Sequence, residues 1–74
     1  MKQDVILSTE ADENANIPGY ITEKVVASFL DKSDADSYIV THMYDWIRRV
    51  VDGNDKRVNS TFIGVRINEN NSDL

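Results

Sequence analysis

Residues 34–52 constrain the fold more than any other stretch, because their apolar side chains recur at helical spacing over the whole segment. At 100° per residue, Ala35, Ile39, Val40, Met43, Trp46, Ile47, Val50 and Val51 form one broad stripe. A lone helix with one apolar side must lay it on another apolar surface, which here implies a sheet. Ser33 has N-cap chemistry, with Asp36 three residues on and Asp34 in the first turn, where the helix dipole favours negative charge. Arg48 and Arg49 suit the C-terminal end, and Gly53 stops the helix just after Asp52. Asp45 with Arg49, and Arg48 with Asp52, have i,i+4 spacing.

The sheet has to come from the remaining segments. Val5-Ile6-Leu7 predicts a strand near residues 4–9. Asn16-Ile17-Pro18-Gly19 is a chain reversal, since proline fixes φ at a turn corner and glycine accepts the positive φ that follows. In residues 20–30 the spacing of Ile21, Val25 and Phe29 fits a helix, and with Ala27 it also fits one side of a strand. The tyrosine, isoleucine, threonine and valines there favour a strand. From Arg57 to Ile67 the alternation is clear, with Thr61, Ile63, Val65 and Ile67 on one side and Ser60, Phe62, Gly64 and Arg66 on the other. The expected fold is a small α+β domain over residues 1–67 in the order β-β-α-β, a three-stranded sheet with one face covered by a single amphipathic helix. The alternative order is β-α-α-β. Residues 68–74 have too little apolar content to pack and read as a flexible polar tail.

A chain of 74 residues buries a small share of its surface, and such chains usually rely on disulfides, a metal or a second subunit. With no cysteine, disulfides and thiolate zinc sites are excluded, which leaves self-association. No apolar run approaches the roughly 18 to 20 residues of a membrane span, and the N-terminus lacks a signal-peptide core. The expectation is a cytoplasmic protein without a membrane partner. A net charge of −5 opposes general affinity for nucleic acid. The charge is unevenly spread, with nine acids and three bases in residues 1–45, against five bases and two acids in residues 46–67. Glu10, Asp12 and Glu13 form a candidate acidic surface for a basic partner, and Arg48, Arg49, Lys56, Arg57 and Arg66 a candidate basic one.

Catalytic and cofactor signatures are missing from the sequence. Gly19, Gly53 and Gly64 are too far apart for a phosphate-cradling loop, and no nucleophile elbow surrounds any serine. His42, the one imidazole, lies between Tyr38 and Trp46 at one-turn spacing and reads as a half-buried rim residue; its functional reading is a proton-transfer group oriented by Asp45. Asp31, Asp34 and Asp36 lack the glycine and closing glutamate of a calcium loop, and helix capping accounts for them. No enzyme activity, metal or cofactor is therefore expected.

The remaining signal is apolar residues on the wrong side of the sheet. If Val5, Leu7, Ile21, Val25, Ala27, Phe29, Ile63, Val65 and Ile67 meet the helix, then Ile6, Tyr20, Val26 and Phe62 face away, with Gly64 among them where another backbone can approach. These five are the candidate interface. The leading expectation is a non-enzymatic interaction module that forms a homodimer through its open sheet face. One alternative is a small acidic inhibitor or regulator of the kind phages and mobile elements carry, binding a basic partner or a nucleic-acid channel. The other is a single-stranded nucleic-acid binder using the basic 48–66 cluster, with Trp46 and Phe62 for stacking.

Overall fold

A computed structural model describes residues 1–13, 15–51 and 60–71, with the backbone alone for residues 49–51. The elements are β1 (Lys2–Ala11), β2 (Ile21–Phe29), α1 (Lys32–Val51) and β3 (Ser60–Asn70). Both outer strands run antiparallel to β1, giving the order β2-β1-β3. The chain is a small α+β domain with a three-stranded antiparallel sheet and one helix packed against it. The segment that fitted either helix or strand is a strand, paired with β1 from Gln3↔Phe29 to Glu10↔Ile21.

The β1–β2 reversal follows from its turn residues. The Gly19 N–H donates to the Ala11 carbonyl at 2.8 Å, and the Tyr20 N–H donates to the Ile17 carbonyl at 3.3 Å. Pro18 and Gly19 occupy the corner, and Gly19 has φ of +83°, a conformation that disfavours any side chain.

Register determines which residues meet the helix, because directly opposed residues in an antiparallel pair project to the same side. Val5 is completely buried and stands opposite Ala27 and Ile67. Phe29, opposite Gln3, meets Tyr38 with ring centroids 5.4 Å apart, and Phe62, opposite Thr9, meets Trp46 at 6.3 Å. Gln3, Val5, Leu7 and Thr9 therefore face α1, which runs diagonally from the Phe29 corner of the sheet to the Phe62 corner. Asp4, Ile6, Ser8 and Glu10 face the other way.

Two bulges change the expected phase of the outer strands. The register shifts between Val5 and Ile6 against β2, where Val26 is the extra residue, and between Ser8 and Thr9 against β3, where Ile63 is. An extra residue inverts the alternation beyond it. Val25 thus stands opposite Ile6 and Ile21 opposite Glu10, on the open face, although both alternate in sequence with Ala27 and Phe29. Phe62 is turned the opposite way and packs under the helix, so its expected place on the open face is corrected.

The helix also differs from its sequence reading. It begins at Lys32, with the Ala35 N–H bonded to the Asp31 carbonyl at 3.2 Å, so Asp31 takes the N-cap place expected of Ser33. Its inner side is Ala35, Tyr38, Ile39, His42, Met43 and Trp46, all buried or half-buried. Val40 and Ile47, expected on that side, are exposed. At the C-terminus β3 continues through Asn68, Glu69 and Asn70, which pair with Asp4, Gln3 and Lys2, three residues past the expected boundary.

Candidate functional site

The open sheet face is built around β1, with the outer strands supplying its exposed surface. Ile6 is buried even without a layer above it, because Val25 and Arg66 stand opposite it on either side. Val25 is 51% exposed and Ile21 is 49% exposed on β2, while Ile63, expected to meet the helix, is 47% exposed at the β3 bulge. Gly64, opposite Ser8, leaves the backbone uncovered: a Cβ placed there would meet nothing within 4 Å. Tyr20 is exposed just before β2, and Val26 is half-buried at its bulge.

Five polar side chains on this face, Asp4, Ser28, Asn70, Glu23 and Arg66, are paired among themselves. The Asp4 carboxylate accepts the Ser28 hydroxyl at 2.6 Å and the Asn70 amide at 2.9 Å. These bonds, Ser28 first and then Asn70, hold its pKa below the usual carboxylate value against the opposing effect of burial, and Lys2 adds a smaller pull the same way. Arg66 Nη2 donates to Glu23 Oε2 at 2.6 Å, an ion pair that reaches from one outer strand to the other over Ser8 and Ile6. Both partners are about half exposed, so the bridge contributes little to stability. It does occupy one of the five cations expected to form a basic surface.

Folding also relocates the charge segregation seen in sequence. Glu10 and Glu13 are exposed and Asp12 is half-buried where β1 leads into the β1–β2 turn. Arg48 lies two residues past Trp46, at the Phe62 corner, and Phe62 pairs with Thr9 beside Glu10. The acidic hairpin and the basic end of α1 are thus at the same end of the sheet rather than on opposite faces. The side chain of Arg49, together with Lys56 and Arg57, lies outside the described residues.

Under the helix the rings form a continuous line. His42 is half-buried, 4.2 Å from Tyr38 and 6.0 Å from Trp46 by ring centroid. Phe29 and Phe62 close the line at its two ends. This is the rim packing that the one-turn spacing of residues 38, 42 and 46 implies. Among the described residues, no three of His, Asp and Glu come together as metal ligands, and no helix is long and apolar enough to cross a membrane.

Sequence reasoning missed Ile21 and Val25 as open-face residues, since simple alternation cannot register a bulge. The doublet Val25-Val26 and the run Phe62-Ile63, where apolar residues interrupt the alternation, are the only traces the bulges leave in sequence. No family model, curated protein or solved structure matches the chain.

Proposed function

We propose that the chain is a non-enzymatic protein-interaction module that self-associates as a dimer through the face of the sheet that α1 leaves open. The observation that carries this reading is the one-sided cover of the sheet, with Ile21 and Val25 about half exposed on the other side. Gly64 adds a place where a second backbone can approach closely. Asp4, Ser28, Asn70, Glu23 and Arg66 on this face already bond to one another, which lowers the cost of covering those groups. A thin core supports the same reading. Among the described residues Val5 is the only large side chain wholly removed from solvent, and a chain of this kind gains stability from any partner that binds only its folded form.

Val25→Lys tests the proposal, because it adds charge to an exposed position and removes no core packing. The expected result is a fall in mass by light scattering at high micromolar concentration, with the helical circular dichroism signal retained. An unchanged mass with that signal intact removes the open face as the interface.

Exposure of Glu10 and Glu13 at the hairpin favours a second reading, in which the acidic end docks a basic protein. The nucleic-acid reading is weakened by the engagement of Arg66 with Glu23. Titration with a single-stranded oligonucleotide at low salt, where a basic patch binds best, separates the two.

A further inference from the structure

The Arg66–Glu23 ion pair crosses the open face from one edge strand of the sheet to the other. Neighbouring strands lie about 4.8 Å apart, so the β2 and β3 backbones stand about 10 Å apart with β1 between them. Arg66 Nη2 and Glu23 Oε2 nevertheless come within 2.6 Å, which requires both side chains to reach inward above β1. Arg66 rises beside Ile6 and Glu23 beside Ser8, so the bridge runs diagonally across those two residues. Ile6 keeps 8% exposure there, whereas Val25 and Ile21 on the β2 edge are about half exposed.

We propose that this pair is an autoinhibitory latch: closed, it holds a second copy off Ile6 and Ser8, and opened, it lets the two open faces meet. Such a latch rests on the reading of that face as the dimer interface, and governs how readily the interface forms.

Exposure of the bridge sets the sign of the effect. Each side chain is about half exposed, so both ions keep part of their hydration. Pairing spares either ion from being buried alone, but a copy docked over the closed bridge would still strip that water, a loss that mutual attraction repays only with further hydrogen bonds. Asp4 differs, because it is already buried and its bonds to Ser28 and Asn70 stay intact when the face is covered. The same exposure makes the latch easy to open, since a bridge of this kind is held weakly. Both residues stand on edge strands, so an opened Arg66 and an opened Glu23 each turn outward past the sheet edge and keep their charge in water. Ile6 then joins Val25, its neighbour on β2, in one apolar surface.

Sedimentation of the wild-type, Glu23→Gln, Arg66→Gln and Val25→Lys chains over a range of concentrations tests the latch, with circular dichroism confirming the fold of each. Glu23→Gln and Arg66→Gln both break the bridge at exposed positions, and they move the net charge of −5 in opposite directions, to −4 and −6 respectively. Each dimer has two latches, so both substitutions should tighten association about tenfold. Tightening by Glu23→Gln with weakening by Arg66→Gln would overturn the latch, because repulsion between like-charged copies alone gives that pattern. Association unchanged by both, while Val25→Lys lowers the mass, would overturn the latch and leave the open-face dimer standing. Monomers throughout, in the wild type and in both latch variants, would overturn the two together.

Discussion

Asp4 shows how much a single residue on the open face is constrained. It is buried in the central strand without any layer above it, and two side chains from the two outer strands bond its carboxylate. Because those bonds favour the charged form, its folded pKa lies below its unfolded one. A depressed carboxylate pKa contributes stability that is present above the unfolded value and is lost as pH falls through the folded one. The melting temperature should therefore drop as pH is lowered through about 4 and below, the range in which an unfolded aspartate takes up its proton. Ser28→Ala removes the largest cause of the shift and should flatten that acid slope, while leaving the melting temperature near neutral pH lower than wild type. A thermal melt series in acid for both proteins reads the difference directly. Parallel slopes would mean that Ser28 does not hold Asp4 in its charged form.

At the scale of elements, the strands and the helix were legible in sequence because each carries its own period, whereas the faces of the sheet were only partly so. Val5, Leu7, Ala27, Phe29, Val65 and Ile67 fall where alternation puts them. Ile21, Val25 and Phe62 do not, since the extra residues Val26 and Ile63 each invert one outer strand beyond the bulge. Bulges are relations between two strands, and one strand's sequence records them poorly. The helix was misread for a related reason: a segment apolar on two sides yields one averaged stripe, which took in Val40 and Ile47 and left out Tyr38 and His42. Gly64 offers a test of what the bulged β3 is for. Its φ is not in the positive region and a Cβ there meets nothing within 4 Å, so the fold itself does not require glycine. Gly64→Ala should stabilise the unassociated chain by about 0.5–1 kcal/mol, the usual cost of glycine within a strand. If a second copy approaches that backbone, the same methyl should weaken association. Chemical denaturation in the Val25→Lys background reads the first effect and sedimentation of the otherwise wild-type chain the second. Tighter or unchanged association would show that nothing approaches Gly64.

At the scale of the whole molecule, principal extents of 40 × 23 × 15 Å describe a slab one helix and one sheet thick, with apolar surface on both broad sides. Such a slab has one thin internal core, and its two outer surfaces are where additional burial can be gained. Folding and association then become a single linked equilibrium, in which any contact between copies stabilises only the folded form. The consequence can be measured without knowing which surface pairs. For two chains that fold as they associate, a tenfold rise in concentration adds about 1.4 kcal/mol per dimer, or about 0.7 kcal/mol per chain. With an unfolding entropy of about 2.1 cal/mol/K per residue, that moves the melting temperature of a chain this size by about 4–5 °C. A wild-type melting temperature that climbs by this amount per decade, and a Val25→Lys variant in which the climb is reduced, would tie the missing core to the surface that variant alters. A melting temperature that stays flat from low to high micromolar concentration would mean that Val5 and its few neighbours hold the slab together alone, and that neither broad side pairs with a copy.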